Sequence, residues 1–434
     1  MSAHEEGLMA AVPRTAPSVG PEWLTSLRRE ASERLRESGF PGKKHEKWRF
    51  TSVREVVGTS FEAAAPPSDE AALMRWASEQ LGDEAALRIV LADGRLVGVE
   101  GEAAGVRVES LAKAIESDAS ALEGVLGQLA PREHFAALNA ALFQDGALVR
   151  ITGEVPTPIQ LVHVARESES PTAAYPRIVV LAAPGSRATL IESYLAQPGA
   201  KHLTSAVTEV LVDEDARLEH ARFVLGHERT FHLAYLAVRQ ARGSFYASRV
   251  VTLGGALSRL DLDAQLAGEG AEVVLEGVYH VDGTEHVDHQ LWVEHAAPHT
   301  TSTTRYRGIL DGKGHAVLNA MGIVRPSARG TVAHQENRNL LLSDDATIDT
   351  KPHLEIETDD VKASHGATIG AVDDAALFYL RARGIPEAEA RDLLTFAFVR
   401  ELVEHIPHEP TARAASEAVL GRLPSGARIR EVTA

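Results

Sequence analysis

The chain has 434 residues, 44% of them hydrophobic and 24% charged. That is long enough for two or three domains with a sizeable core and too apolar for wholesale disorder. Its 44 Lys and Arg stand against 61 Asp and Glu, a formal charge of −17, so nucleic acid is not expected as a partner, because phosphate binding needs clustered cations. Cysteine is absent, which excludes disulfides and thiolate-only metal sites within the chain.

The first residues carry early acids and no long apolar run, so a secretory signal is not expected. No stretch approaches the roughly 18–20 apolar residues of a membrane helix. These features predict a cytoplasmic protein with no membrane contact. Five of the eight lysines fall in two short segments, Lys43, Lys44 and Lys47, then Lys351 and Lys362. A solvated turn and chance account for them as simply as a function does.

Residues 1–20, rich in Ala, Pro, Ser and Gly, are expected to form a flexible tail, followed by a mostly helical domain over 21–145. Leu24, Leu27, Ala31 and Leu35 recur at helical spacing, and Gly39 and Pro41 close that segment. A second helix is predicted over Asp69–Leu81, with acids in its first turn where the helix dipole favours them. Residues 88–110 read as a short strand pair around the turn ADGR, and a helical stretch from about Leu122 to Phe143 is interrupted near Pro131.

At Asp145-Gly146 the texture changes, and residues 146–372 alternate β-branched or apolar runs with Gly/Asp turns. Alternation of this kind marks strands with one face on a core. The turn-then-strand phrase starts near Ala188, Ala216, Phe245, Ala271, His315 and Ala346. Most of the gaps are close to 28 residues, and one, from Ala271 to His315, is 44. A helix-free repeat of this length predicts a β-solenoid whose coils bury their faces on one another; a β-sandwich is the competing architecture.

Residues 373–434 return to helix. Asp373 is placed to cap a helix ending at Gly384. Pro386 suits the start of a second helix, reaching about His405, and a third begins near Thr411. This helical tail is expected to cap the solenoid, since open β edges recruit other chains. The second helix carries Leu393, Phe396, Phe398, Leu402 and other apolar residues around most of its circumference, which calls for two packing partners. Packing inside the chain and docking of a separate protein both satisfy that demand.

Chemistry-bearing residues gather in 334–365. His365 sits among Ala363, Ser364, Gly366 and Ala367, which leave its imidazole little cover; a neutral imidazole is a good ligand for iron. A His held by backbone hydrogen bonds in the last coil is the commoner use of such a residue. His353, Glu355 and Glu357 share strand spacing, and with Asp359 form a weak candidate for a hard-metal site. A solvated sheet face is the plainer reading. His334 and Glu336 share one strand face and suit a polar interface. The chain has no G-x-S-x-G, no H-E-x-x-H, no P-loop and no dinucleotide fingerprint, so no catalysis is expected of it.

Three segments carry a resemblance. HEKWRFTSV (His45–Val53), HFAALNAALFQDGALVRI (His134–Ile151) and, most specifically, IDTKPHLEIETDDVKASHGATIGAVDDAALFYLRARGIPEAEARDLLTFAF (Ile348–Phe398) together resemble the SufB/SufD family of iron–sulfur cluster assembly proteins. The first segment is more like the SufD branch. The resemblance implies a mainly β protein, a right-handed parallel β-helix flanked by N-terminal and C-terminal helical domains. It implies a non-enzymatic scaffold that pairs with a SufB-like subunit, or with a second copy of itself, through the C-terminal end of the β-helix. The interface candidates are then His334, Glu336, Lys351, His353, Glu355 and Lys362.

The C-terminal helices would dock the SufC-like ABC ATPase through Leu393, Phe396, Phe398 and Leu402. His365 matches the histidine of the family's SHGAT motif and becomes the cluster candidate. Relatives often carry Cys where this chain has Ala363, so thiolates would have to come from SufB. The chain alone is expected to hold no cofactor, any iron–sulfur cluster being shared with SufB. A β-helix enzyme acting on carbohydrate and a stand-alone metal-binding protein are the alternatives. A low aromatic content, 5%, argues against the first.

Overall fold

The computed structural model describes residues 7–13, 20–81, 85, 87–130 and 134–433. The N-terminal part contains α1 (Glu22–Ser38), α2 (Arg54–Gly58), β1 (Glu62–Ala63), α3 (Glu70–Leu81), β2 (Leu87–Ala92), β3 (Arg95–Gly101), β4 (Val106–Ser110), α4 (Leu111–Asp118), α5 (Ser120–Glu123) and α6 (His134–Leu142). The central part runs through β5 (Gly146–Ile151), β6 (Ile159–Ala165), β7 (Thr172–Ala174), β8 (Arg177–Ala182), β9 (Arg187–Ala196), β10 (His202–Val212), β11 (Arg217–Leu225), β12 (Thr230–Gln240) and β13 (Phe245–Leu253). It continues through β14 (Leu257–Leu266), β15 (Glu272–Val281), β16 (His286–His295), β17 (Thr301–Leu310), β18 (His315–Val324), β19 (Thr331–Leu341), β20 (Thr347–Ile356) and β21 (Val361–Gly370). Four helices close the chain: α7 (Asp374–Ala382), α8 (Glu387–Glu404), α9 (Glu409–Leu420) and α10 (Gly426–Thr433).

The central strands form a β-solenoid of about eight turns. From β8 onward the even-numbered strands stack in parallel into one sheet, and from β9 the odd-numbered strands stack into the other. Strands that begin at Arg187, Arg217, Phe245, Glu272, Thr301, Thr331 and Val361 mark successive coils of the odd sheet. The long gap in the sequence repeat is therefore a coil and a half. Ala188, Ala216, Phe245 and Ala271 open odd strands, whereas His315 and Ala346 stand at the even ones. The gap from Ala271 to His315 spans β16 and β17, and the odd strand missed there is β17, TSTTRYRGIL, whose Thr and Arg hide the apolar alternation.

Register partners of parallel strands point to the same side, so inward positions form continuous files. Val149, Val180, Leu190, Leu218, Leu236, Leu262, Val273 and Leu291 belong to one buried interior cluster. Two interior glycines have a steric purpose. A Cβ at Gly277 would lie 2.1 Å from the Tyr306 ring, and one at Gly308 would lie 2.2 Å from the Tyr279 ring. Their absence of side chain lets both tyrosines lie inside the solenoid.

The helices clothe the outer faces of the sheets. Trp48, Val56, Phe135 and Leu138 pack on Leu203, Phe231, Leu233 and Leu257 of the even sheet. Phe396, Val399, Leu402, Val403, Val419 and Leu420 pack on Ile191, Phe223, Val251, Val278 and Ile309 of the odd sheet. The expected cap is thus corrected: the C-terminal helices lie along the side of the solenoid and leave β20 and β21 uncovered. An apolar helix face finds far more buried area on a broad sheet than on the rim of one coil.

Other expectations need adjustment. Residues 7–13 are not a free tail, because Leu8 and Val12 are buried against Trp48 and Val56; residues 1–6 and 14–19 lie outside the described residues. The helix expected from Leu122 is broken into short pieces and begins earlier, at Leu111, where the Ser110 hydroxyl accepts from the Lys113 amide as an N-cap. The interruption at Pro131 lies outside the described residues. The expected boundary at residue 145 falls inside the sheets: β4 pairs antiparallel with β5, and β2 pairs parallel with β6. Asp145 ties the two parts together by accepting from the Ser110 hydroxyl at 2.8 Å and the Leu96 amide at 3.1 Å.

Candidate functional site: the open end of the solenoid

The last coil is built from β20 on β18 and β21 on β19, and among the described residues neither outer strand has a further neighbour in its sheet. Nearly all of β21 is exposed. His365 is in register with the inward-facing Gln335, so its imidazole occupies an interior file that simply ends. It is exposed because no next coil covers it. This differs from an imidazole aimed outward by a turn at Gly366, since Gly366 lies within the strand.

The remaining interface candidates surround this mouth. His334, Lys351, His353, Glu355 and Lys362 are exposed, and Glu336 is half-buried. His334 Nδ1 meets the Ser364 hydroxyl at 2.6 Å, and Arg338 donates to Glu336 at 2.9 Å. Lys351 donates to Glu46 at 2.8 Å, a bond that holds the Glu46 carboxyl below the ordinary range. The turn at Lys43–Lys47 thus reaches the last coil. The rest of HEKWRF clamps the N-terminal helices to the even sheet, with the Arg259 guanidinium 3.6 Å from the centre of the Trp48 ring and donating to the Lys47 carbonyl at 2.9 Å.

Apolar side chains interleave with these polar ones. Val332 is 41% exposed, Ile356 41% and Ile369 53%. On α7, Phe378 is 72% exposed and Tyr379 56%. Large apolar side chains left in solvent are candidates for an interaction surface. The pair Phe378-Tyr379 was missed in the sequence because α7 reads as an ordinary amphipathic helix with Leu377 as its buried anchor.

The residues singled out for partner docking on α8 divide. Phe396 and Leu402 are buried against the odd sheet, which corrects their assignment as docking residues. Leu393 and Phe398 stay half-buried at the edge of that cluster, and the Phe398 carbonyl accepts from Arg307 at 2.6 Å. The weak metal candidates do not converge either. Among the described residues no three His, Cys, Asp or Glu side chains gather as a ligand set. Glu357 lies 3.7 Å from Arg325 instead, and Asp359 lies beyond the end of β20, exposed.

Sequence reading also missed a charged centre at the opposite end. Glu192 is fully buried and accepts from Arg222 Nε at 2.8 Å and Tyr194 Oη at 2.8 Å; it also meets His163 and His220, each at 3.1 Å. Burial alone would raise its carboxyl, but Arg222 and the two imidazoles override that and hold it well below the usual range. Nearby Glu209, also fully buried, pairs with Arg177 at 2.6 Å and accepts from the Gly127 amide at 2.9 Å. The signal was present in RATLIESYLA and DARLEHARFVLG, where charged residues occupy inward positions of otherwise apolar strands.

Comparison with known proteins agrees with this architecture. Residues 163–398 match the SUF system FeS cluster assembly SufBD core domain, and residues 18–161 match the SufBD protein N-terminal region. The iron–sulfur cluster assembly protein SufD of Escherichia coli is 31% identical over 91% of this chain and 92% of its own length. An iron–sulfur cluster assembly SufBD family protein of Synechocystis is 30% identical over 88% of each chain, and SufD of Bacillus subtilis is 28% identical over 64% of each. No helix among the described residues is long and apolar enough to cross a membrane. With both domain signatures in order, and a relative matched nearly end to end, the chain belongs to the SufBD family of iron–sulfur cluster assembly proteins.

Proposed function

We propose that this protein is a SufD-like scaffold whose open solenoid end is an assembly surface rather than a catalytic site. The observation that carries the proposal is the bare last coil. β20 and β21 offer two free strand edges, a ring of His, Lys and Glu, and exposed Ile356 and Ile369 to whatever completes the stack. Unpaired strand edges template the addition of another strand. A SufB-like subunit fits this role, as does a second copy of the chain.

His365 would then face the partner across the junction and contribute one imidazole to a nascent iron–sulfur cluster. Having no cysteine, this chain relies on the partner for thiolates. The C-terminal helical segment is the docking site for a SufC-like ATPase. Phe378 and Tyr379 are the side chains exposed for that contact, with Leu393 and Phe398 next to them in rank. The scaffold itself needs no catalytic group, and its working place is the cytoplasm.

Co-expression with SufB-like and SufC-like proteins tests the proposal. His365→Ala is expected to lower the cluster content of the purified complex while leaving its assembly intact. Phe378→Asp is expected to reduce recovery of the ATPase on the tagged chain. Unchanged cluster content in the first case removes His365 from the junction chemistry, and full recovery in the second moves the docking surface elsewhere.

A further inference from the structure

The helices on the outer face of the odd sheet leave a gap between them. Leu73 and Ala77 of α3 cluster with Val162, Val164 and Leu195, whereas Ala415, Val419 and Leu420 of α9 cluster with Ile191, Phe223 and Val251. Between the two clusters the outer side of β6, β9 and β11 floors a cavity of about 650 Å³, and small-molecule sites run from roughly 300 to 1,000 Å³. Leu195, Phe223 and Leu225 supply its apolar floor, and Leu81 of α3 with Ala414 and Ala418 of α9 line its walls.

Two polar side chains in that floor, Gln160 and Ser193, are more than nine-tenths buried. Gln160 is in register with Ile191, and Ser193 with Phe223, so both stand on the outer side among apolar neighbours. Arg88 Nε donates to Gln160 Oε1 at 2.8 Å, which fixes the amide and leaves its nitrogen to donate elsewhere. Among the described residues neither that nitrogen nor the Ser193 hydroxyl has a hydrogen-bond partner. A buried donor left unpaired destabilises the fold until something accepts from it. On the α9 wall, Arg413 makes no ion pair among the described residues, while Glu417, one turn on, is held by Arg430 Nε at 2.5 Å. The cavity therefore presents one uncompensated cation and two neutral donors.

We propose that this cavity binds a small carboxylic acid with an apolar tail. The carboxylate accepts from Gln160 Nε2 and Ser193 Oγ in the field of Arg413, and the tail lies over Phe223 and Leu225. One cation matches one negative charge, whereas a phosphate monoester carries about −1.5 to −2 and would stay partly uncompensated. A wholly apolar molecule would leave both donors unpaired. The site shares no residue with the last coil or with the Phe378-Tyr379 pair, so it stands independently of the assembly reading.

Calorimetric titration of the full chain with decanoate tests the site, with decylamine as the probe of opposite charge. Decanoate is expected to bind saturably at one site. Arg413→Ala should weaken it about tenfold, Ser193→Ala about two- to tenfold, and Ala414→Trp, whose indole would fill the space above the sheet, should abolish it. Arg413 and Ala414 are exposed on α9, so neither of those substitutions threatens the fold. Absence of saturable decanoate binding overturns the proposal. Undiminished binding by the Ala414→Trp chain does so too, since the acid would then sit elsewhere. Equal affinity for decylamine, or an Arg413→Ala chain that binds decanoate as the native one does, also overturns it, because the groove would then be an apolar face suited to a partner's side chains rather than to an acid.

Discussion

The two ends of the solenoid handle polar groups in opposite ways. At the N-terminal end Glu192 and Glu209 are fully buried, and each is surrounded by donors from several strands and loops. At the C-terminal end His365, Lys362, His353 and Lys351 stand in solvent on strands with a bare edge. A buried charge is tolerated only when paired and hydrogen-bonded. The first end is therefore satisfied within one chain, whereas the second leaves its polar side chains to solvent. Polar residues in this fold are paired in a dry interior at one end and left in solvent at the other.

The sharpest way to break this contrast is to unpair the buried centre. Arg222→Ala leaves the Glu192 carboxylate without its cation in a dry interior, and should cost about 3–5 kcal/mol in denaturant unfolding. A loss below about 1 kcal/mol would mean that the centre is hydrated and carries little of the stability.

Acid should act on the same interior. His232 and His289 titrate near 3 in the folded chain, against an unfolded value of about 6.5. Below 6.5 the unfolded state takes up protons that the folded state refuses. Stability is then fully present above pH 6.5 and falls as pH drops toward 3, on the order of 2 kcal/mol for each histidine at pH 5. Glu192, held low when folded, adds a further loss in the carboxylate range. Denaturant melts at pH 7.5 and pH 5 measure the slope; equal midpoints would show that these imidazoles protonate without unfolding.

Gly277→Ala probes packing without touching charge. The new methyl would meet the Tyr306 ring far inside van der Waals distance, and overpacking of this kind costs about 1–3 kcal/mol. Combining it with Tyr306→Leu should recover part of that loss, which distinguishes the clash from a general effect on strand propensity. The smallest stability effect belongs to the open end. His365→Ala should shift the unfolding free energy by less than about 0.5 kcal/mol, even where it lowers the cluster content of the complex. A large destabilisation would make His365 a structural residue of the last coil.

Much of the architecture was legible in the residues. The 28-residue phrase of turns and alternating strands marks a solenoid, and the capping Asp373 and terminating Gly384 mark the helix that follows it. The missed coil at β17 shows the limit: Thr and Arg there face inward or lie under the helices, so hydrophobic alternation fades where burial does not depend on apolar residues. The mouth was legible as a cluster of His, Glu and Lys. Its geometry was not. His365 is exposed because its file of inward positions stops, and no local pattern encodes where a stack of coils ends.

By itself the sequence determined the repeat, the lack of thiols, the family and the group of residues at the last coil, because these follow from local periodicity and residue chemistry. Tertiary structure decided which apolar helix faces were spent inside the chain. It buried Phe396 and Leu402 on the odd sheet, exposed Phe378 and Tyr379, and drew Glu192, Arg222, His163 and His220 from three separate coils into one centre. Contacts between distant strands depend on the register of the whole stack, and that is set by the summed packing of every coil rather than by any one segment.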